Sequence, residues 1–232
     1  MIEAVIFDWG GTLTRWTSVD HFDAWRRFAD VLHPADPELA ATLATVLRDA
    51  DDTRWATVRT EHRAFTVANV LADAEVDHHE QALAAYQAFW EPSTHTDPEA
   101  GPMLNALGQR GLKLGVLSST IWPATWHEDW LRRDGVLHLF DACVWSSDLP
   151  WTKPHPAAFR AAMEAIGATD PSRCVYVGDR PYDDVSGAQA AGMRTVFVPH
   201  SDIPAVQQVP VDVHPDAVLE RLADLPELLA DW

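Results

Sequence analysis

Cysteine, basic residues and long apolar runs are all scarce in this sequence, and each shortage excludes a class of protein. The two cysteines, Cys143 and Cys174, lie in apolar, strand-like segments without the spacing of a zinc motif, so we expect buried free thiols. No apolar run approaches the roughly 20 residues of a transmembrane helix. The first residues lack the basic segment of a secretory signal. We therefore expect a cytoplasmic protein without a membrane partner.

Basic residues are outnumbered by acidic residues. The chain holds 17 lysines and arginines against 35 aspartates and glutamates, which gives a net charge of −18. Such a charge repels nucleic acid and anionic membranes, so neither is expected as a partner. The hydrophobic share of 47% argues against disorder, and 232 residues suffice for one domain with an insertion or for two small domains.

The most informative stretch is the N-terminus, residues 1–14. Ala4–Phe7 is a continuous apolar run, which is typical of a strand buried on both faces. Asp8 follows directly, and Gly10 and Gly11 then impose a tight turn. A carboxylate at the carboxyl end of a buried parallel strand is costly unless it acts as a metal ligand, a nucleophile or the partner of a cation. The pattern therefore predicts a functional site here.

Residues 15–96 show helical periodicity and almost no strand signal. Four helical segments are predicted there: about 20–32, a helix that opens at Pro37, a helix that follows a turn at 51–53, and 78–90. In the second helix, the residues expected to face inward are Leu39, Leu43, Val46 and Leu47. Four helices with one apolar face each predict a small helical bundle.

From residue 97 onward, predicted strands and helices alternate. The strands are predicted at 112–117, 142–145, 174–177 and 194–198. The helices are predicted at 98–110, 124–133, 156–166, 183–191 and 218–229. This alternation is typical of βαβ units, so the expected fold class is α/β with a parallel sheet. The helical segment 15–96 is then an insertion after the first strand.

Four polar side chains fall at or just past the predicted strand ends. They are Asp8, Ser118, Lys153 and Asp179. Ligands of an open parallel sheet bind outside the carboxyl ends of its strands, so the topology predicts that these four residues meet in one crevice. Lys153 stands out because Lys113 is the only other lysine in the chain.

Four segments together resemble the motifs of the haloacid dehalogenase-like (HAD) hydrolase superfamily. They are Asp8-Trp9-Gly10-Gly11-Thr12, Leu114-Gly115-Val116-Leu117-Ser118, Lys153-Pro154-His155-Pro156, and Gly178-Asp179 followed by Asp183-Asp184. The resemblance implies a Rossmann-like parallel sheet core formed by residues 1–14 and 97–232. It also implies that residues 15–96 form the helical C1 cap domain of this superfamily.

The same resemblance implies roles for individual residues. Asp8 is the expected nucleophile, assisted by the catalytic side chains of Ser118 and Lys153. The expected phosphate-binding residues are Gly10, Gly11, Ser118, Ser119 and Lys153. The expected Mg²⁺ ligands are Asp8, the backbone carbonyl of Gly10, Asp179 and Asp184, with Asp183 beside them. The implied activity is hydrolysis of a small-molecule phosphate ester through an aspartyl-phosphate on Asp8.

One position departs from the superfamily pattern. The second aspartate of the first motif, which protonates the leaving group and activates water, is replaced by Gly10. General acid/base catalysis contributes about 10²- to 10⁴-fold to a rate, so we expect either low activity or a proton donor from the inserted helices. The candidate residues there are Asp20, His21, Asp23, Arg59, His62 and Arg63.

Three alternatives to a phosphatase follow from the missing aspartate. A phospho-ligand binding protein with weak or no turnover would keep the fold and the Mg²⁺ site. A dehalogenase also lacks the second aspartate, but the Gly178-Asp179 metal motif argues against it. A phosphonoacetaldehyde hydrolase needs a cap lysine, and residues 15–96 contain none. The substrate and the oligomeric state stay open.

Overall fold

Six strands form one parallel sheet in the computed structural model, which describes residues 1–199, 203 and 208–232. The strands are β1 (Ala4–Phe7), β2 (Lys113–Ser118), β3 (Ala142–Trp145), β4 (Cys174–Gly178), β5 (Arg194–Phe197) and β6 (Ala217–Val218). Their order across the sheet is β3-β2-β1-β4-β5-β6, and every pairing is parallel. The predicted α/β fold class is confirmed, and β6 is an addition to the five predicted strands.

The described residues also form α-helices. They are α1 (His21–Leu32), α2 (Pro37–Glu61), α3 (Val67–Asp73), α4 (Glu80–Trp90), α5 (Ala100–Gln109), α6 (Ala124–Arg133), α7 (Pro156–Ala165), α8 (Gly187–Ala190) and α9 (Leu225–Leu228). A π-helical turn over Pro181–Ser186 precedes α8, where a continuous helix was predicted over 183–191. Within the described ranges, no helix has both the length and the apolar character that a membrane span requires.

The central strand β1 determines where the first polar landmark lies. All four residues of β1 are buried, as its apolar run predicts. Phe7 pairs with Val116 of β2 on one side and with Val177 of β4 on the other. Asp8 therefore leaves the sheet between the carboxyl ends of β2 and β4, which is the edge where ligands of parallel sheets bind.

The sheet is covered on both faces by separate groups of buried side chains. Successive residues of a strand point to opposite faces, so Val5 and Phe7 pack on one side of β1 and Ile6 on the other. The first face contacts Leu104 of α5, and the second contacts Phe159 of α7. Each of these large side chains is fully buried and stabilises the core by about 1.5–3 kcal/mol.

Helices α1 to α4 share a core of their own, and the predicted inward face of α2 is confirmed in part, because Leu43 and Leu47 contact this core. Ala40, Ala44 and Leu47 are fully buried there. Leu39 and Val46 are instead 46% and 44% exposed. The small alanine side chains allow α2 to pack closely, so the bulkier neighbours on the adjoining face point to solvent.

The predicted turn at 51–53 is wrong, because α2 runs unbroken from Pro37 to Glu61. Aspartates disfavour a helix interior when their side chains compete with the backbone. Asp51 is buried instead, and its Oδ2 accepts a 3.1 Å hydrogen bond from Nε1 of Trp25. This partner lies 26 residues away on α1, so the local pattern could not indicate it.

The predicted closing helix at 218–229 is wrong over its first half. β6 pairs with β5, with Ala217 opposite Val196 and Val218 opposite Phe197. The carboxylate of Asp216 accepts a 2.7 Å hydrogen bond from the backbone of Thr195, which holds β6 at the sheet edge. Only the four residues of α9 are α-helical, between 3-10 turns.

The cysteine prediction holds in part. Both thiols are free, as expected. Cys174 is fully buried in β4, whereas Cys143 in β3 is only partly buried.

Candidate active site

Lys153 lies at the centre of a buried polar cluster at the carboxyl edge of the sheet. Its side chain is almost fully buried, and Nζ donates three hydrogen bonds. The acceptors are Oδ1 of Asp8 at 2.5 Å, Oδ1 of Asp184 at 2.7 Å and the hydroxyl of Tyr176 at 2.9 Å. Asp8 follows β1 and Lys153 lies in the loop between β3 and α7, so the sheet topology brings both to the same edge of the sheet, as predicted.

Asp184 is held from two sides. Its Oδ1 accepts the bond from Lys153, and its Oδ2 accepts a 2.9 Å bond from the backbone N–H of Arg180. Gly178 permits this close approach, because a Cβ at that position would lie 2.4 Å from the carboxyl group of Asp184. Since real Cβ atoms never sit that close, the glycine at the end of β4 is required by the site.

Three carboxylates come together at this point. Asp8, Asp179 and Asp184 each offer an oxygen, and these oxygens lie within 4.8 Å of one another. The hydroxyl of Thr12 donates to Oδ1 of Asp179 at 3.3 Å. Asp183 lies outside this group, with its carboxylate 3.9 Å from Arg180. Buried carboxylates gathered in this way repel one another unless cations accompany them, and hard oxygen donors are the ligands that Mg²⁺ prefers, so the set fits that ion.

Burial and charge act together on the ionisable groups of the cluster. Burial raises the pKa of Asp8 to about 6, although the Lys153 ammonium acts in the opposite direction. Burial alone would lower the pKa of Lys153, but Asp184 and Asp8 together raise it well above its ordinary value. Burial also raises the pKa of Asp183, with Arg180 opposing the shift. The raised pKa of Lys153 favours its ammonium form inside the cluster.

Tyr176 is the member of the cluster that the sequence did not predict as a site residue. It lies in the middle of β4, where an aromatic residue in an apolar strand indicates only core packing. Its hydroxyl accepts from Lys153 and donates to the carbonyl of Leu117 at 2.8 Å. The available signal in the sequence is that this tyrosine lies two residues before Gly178 of the fourth motif.

The turn after Asp8 has a backbone conformation that requires glycine. Gly11 has a φ of 96°, a left-handed value that favours glycine, and its N–H bonds the carbonyl of Thr14 at 3.0 Å. Gly10 pairs with Thr14 in an isolated bridge. Among the described residues, leaving aside its chain neighbours, no atom lies within 4 Å of a Cβ added at Gly10. The position of the missing aspartate is therefore open space.

The two predicted serines lie near the cluster at the end of β2. Ser118 is the last residue of β2 and is buried. The hydroxyl of Ser119 accepts a 2.6 Å hydrogen bond from Thr152, the neighbour of Lys153. The loops after β2 and β3 are thus joined directly beside the lysine.

One of the candidate proton donors, His62, lies where the helical insertion meets the site loops. It ends α2 in a left-handed conformation, with φ of 55°. Its carbonyl accepts from the backbone of Thr152 at 2.9 Å, and its Nε2 lies 3.1 Å from the hydroxyl of Tyr182. The guanidinium of Arg63 lies over the ring of Trp151, 4.9 Å from its centroid. His62 thus bridges the loops that carry Lys153 and Asp179.

The remaining candidates have other partners or a weaker link to the site. Asp20 caps α1 by accepting from the backbone of Phe22. His21 lies 3.7 Å from Asp51 within the helical bundle, and its pKa is raised by that carboxylate. Asp23 lies in the first turn of α1, and the charge of Arg59 acts on Asp183.

A cavity of about 220 Å³ opens beside the carboxylates. Its lining includes Asp179, Arg180, Tyr182 and Phe197. The cavity therefore borders the acidic group through Asp179 and β5 through Phe197.

An aromatic cluster backs the first motif. The ring of Trp9 stacks on Trp130 with centroids 5.8 Å apart and meets His127 edge-on at 4.6 Å. His127 is fully buried and stacks on Trp145 at 4.1 Å. Burial lowers the pKa of His127 to about 3, so its imidazole is neutral in the folded protein near pH 7.

Comparisons with known proteins agree with this architecture. The chain is 27% identical to the glyceraldehyde 3-phosphate phosphatase of Methanopyrus kandleri over 100% of its own length and 98% of that protein. A HAD phosphatase from Thermococcus onnurineus superposes with a TM-score of 0.67 at 20% identity, covering 98% of each chain. A 2-haloacid dehalogenase from Pseudomonas syringae superposes with a TM-score of 0.65 at 25% identity over the full length of both chains.

A family model confirms the resemblance that the four motifs suggested. The model of the haloacid dehalogenase-like hydrolases matches residues 2–192, which include the strands β1 to β4, all four motifs and the helical insertion. The chain belongs to the haloacid dehalogenase-like hydrolase family.

Proposed function

We propose that this hydrolase is a phosphatase that removes a phosphoryl group from a small-molecule phosphate ester through an aspartyl-phosphate on Asp8. The observation that supports it best is the position of Lys153, whose ammonium bonds both Asp8 and Asp184. A buried cation at a carboxylate nucleophile offsets the repulsion that an incoming phosphate dianion would meet.

In the proposed reaction, Oδ of Asp8 attacks phosphorus and the ester oxygen departs. Lys153 holds the nucleophile and balances the charge that gathers on the phosphoryl oxygens. The turn at Gly10 and Gly11, together with the hydroxyls of Ser118 and Ser119, binds those oxygens. Water then hydrolyses the aspartyl-phosphate and releases inorganic phosphate.

Asp8, Asp179 and Asp184 would hold Mg²⁺, with the carbonyl of Gly10 as a further ligand. Their three buried oxygens within 4.8 Å of one another support this assignment. When bound, the ion would supply charge neutralisation between the nucleophile and the phosphoryl group.

Residues 15–96 are proposed to act as the cap that selects the substrate, and residues 1–14 and 97–232 as the catalytic core. The similarity to glyceraldehyde 3-phosphate phosphatase over the whole chain supports a small phosphorylated substrate. The full-length dehalogenase similarity concerns the fold, whereas Asp179 in the acidic group favours the phosphatase.

A second candidate function is phospho-ligand binding with weak turnover. Gly10 favours it, because no side chain there can protonate the leaving oxygen or activate water.

If the protein is a phosphatase, His62 is the proposed source of the substitute proton. It bridges the loops that carry Lys153 and Asp179, and its Nε2 lies 3.1 Å from the hydroxyl of Tyr182.

The phosphatase is tested by measuring phosphate release from a panel of phosphate monoesters that includes glyceraldehyde 3-phosphate. Wild type, Asp8→Asn and Asp183→Asn are compared with Mg²⁺ and with EDTA. Asp183→Asn is the matched control, because Asp183 lies outside the acidic group. We expect turnover in wild type and the control, loss by more than about 10³-fold in Asp8→Asn, and loss with EDTA.

Two results would contradict the proposal. Turnover that survives Asp8→Asn would exclude Asp8 as the nucleophile. Phosphate binding without turnover of any monoester would contradict the phosphatase function and favour the phospho-ligand binding function.

A further inference from the structure

Tyr176 carries a buried hydroxyl whose hydrogen bonds have defined directions. Its side chain is 1% exposed. The oxygen lies 2.9 Å from Nζ of Lys153 and 2.8 Å from the carbonyl oxygen of Leu117. An ammonium can only donate and a carbonyl can only accept, so the hydroxyl accepts from Lys153 and donates to Leu117. One phenol therefore connects the site lysine to the end of β2.

We propose that Tyr176 is a positioning residue that fixes the ammonium of Lys153 against Asp8. Its kinetic consequence rests on the proposed phosphatase function, whereas its effect on Lys153 does not. The tyrosine needs no contact with substrate for this role, because it acts through the lysine.

The geometry of Lys153 explains why a third acceptor matters. A lysine ammonium has three N–H groups on a flexible four-carbon stem. Asp8 and Asp184 accept two of them, and the hydroxyl of Tyr176 accepts the third. Without that hydroxyl, one buried N–H loses its acceptor and the ammonium can rotate away from the direction of Asp8.

The tyrosine is itself held rigidly. Its backbone pairs with Ile6 of β1, so the phenol is anchored on the strand beside the nucleophile. Phe159 of α7 packs edge-on against its ring, with centroids 5.0 Å apart. Since α7 begins three residues after Lys153, the ring, the helix and the lysine loop form one packed unit. Burial also keeps the hydroxyl neutral, because the pKa of Tyr176 is well above its ordinary value.

The first measurement is steady-state hydrolysis of p-nitrophenyl phosphate with Mg²⁺ by wild type and Tyr176→Phe. The control is Tyr86→Phe, which removes an equally buried phenol oxygen from α4, where it accepts from Nε1 of Trp122. We expect kcat to fall about tenfold or more in Tyr176→Phe, while KM changes less than about threefold. Tyr86→Phe should stay within about twofold of wild type, because its phenol has no bond to Lys153.

The second measurement reports on Lys153 without any turnover. The chain contains two lysines, so acetylation by an N-hydroxysuccinimide ester can be mapped by mass spectrometry, with Lys113 as the internal reference. Acylation requires a neutral and accessible amine, so losing one of the hydrogen bonds that hold the buried ammonium should raise the ratio of Lys153 to Lys113 acetylation rates by about fivefold or more in Tyr176→Phe. The ratio should stay unchanged in Tyr86→Phe. Both measurements are made below the unfolding transition of the least stable variant.

The outcomes separate the two proposals. A wild type that hydrolyses no phosphate monoester contradicts the phosphatase, and the acetylation ratio then decides on Tyr176 alone. If wild type is active, an unchanged kcat or an unchanged acetylation ratio in Tyr176→Phe overturns the positioning role. An equal change in Tyr86→Phe also overturns it, because the effect would then be a general loosening of the fold.

Discussion

The Nζ atom of Lys153 lies 2.5 Å from Oδ1 of Asp8, although 145 residues separate them in the chain. Both side chains are almost completely buried. Removing two such charges from water costs several kcal/mol each, and only their mutual attraction and additional hydrogen bonds offset that cost. The pair therefore depends on the rest of the cluster, and single substitutions in it have large effects.

We expect Lys153→Met to lower the free energy of unfolding by about 3–5 kcal/mol, because it leaves two buried carboxylates without their cation. Lys113→Met is the matched control. Lys113 donates to the carbonyl of Gly167 at an exposed site, so its loss should cost less than about 1 kcal/mol. Urea unfolding measures both. Equal losses would mean that the buried cluster does not contribute to stability.

Gly10→Asp is expected to raise turnover of phosphate monoesters by about tenfold or more, because it restores a group that can protonate the leaving oxygen. The side chain has room, since no described atom beyond the neighbouring residues lies within 4 Å of the added Cβ. The measurement is kcat/KM for esters with poor leaving groups, where protonation matters most.

The control for this change is Gly10→Asn, which has nearly the same shape and no carboxyl proton. It should leave turnover near or below the wild-type value. If the two variants behave alike, the gain does not come from proton transfer, and another residue already supplies the proton.

We expect the free energy of unfolding to fall on mild acidification because His127 is buried in its neutral form. Its pKa is about 3 in the folded protein, below the ordinary value of 6.5, so the unfolded chain takes up the proton first. The stability due to neutral His127 is complete above pH 6.5 and declines as the pH falls toward 3. At pH 5 the loss is about 2 kcal/mol as an order of magnitude, since one pKa unit corresponds to about 1.4 kcal/mol.

His127→Gln removes this titration and leaves the carboxylates unchanged. Urea unfolding of both proteins at pH 7 and pH 5 isolates the contribution of the histidine. The stability difference between wild type and His127→Gln should shift by about 2 kcal/mol in favour of the variant at pH 5. A difference that does not depend on pH would show that the imidazole is not held neutral.

Two glycine-to-alanine substitutions should change stability in opposite directions. A Cβ at Gly187 would lie 2.7 Å from the ring of Phe159 and 2.9 Å from Cα of Pro154, so Gly187→Ala should cost about 1–3 kcal/mol. Gly108 lies inside α5, and a Cβ added there would lie 4.0 Å from Cδ1 of Leu114. Gly108→Ala should therefore raise the free energy of unfolding by about 0.5–1 kcal/mol. Thermal unfolding distinguishes the two. A stabilising Gly187→Ala would contradict the close packing of α7 and α8.

Local patterns were sufficient where the chain forms structure with its sequence neighbours. The apolar run of β1 and the bounds of α6 and β3 match the prediction, because alternation and helical periodicity depend on nearby residues. The meeting of Asp8, Lys153 and Asp179 could also be predicted, since parallel strands bring their carboxyl ends to one edge.

Prediction failed where a distant partner decides the local structure. Asp51 has the local sequence pattern of a turn residue, but it lies inside α2 and accepts a hydrogen bond from Trp25 of α1. The first residues of the predicted closing helix pair with β5 instead, because the sheet still has an open edge there. Neither partner is close in sequence, so no local pattern could reveal it.

The sequence by itself determined the order of strands and helices and the residue type at each strand end, because these depend on the spacing of apolar and polar residues along the chain. Only the tertiary structure decided which atoms meet. It brought the hydroxyl of Tyr176 within hydrogen-bond distance of Nζ of Lys153, and it brought Asp184, rather than Asp183, into the acidic group. The physical reason is that a hydrogen bond or a shared metal ligand requires positions accurate to a fraction of an ångström, and the packing of sheet against helix sets those positions.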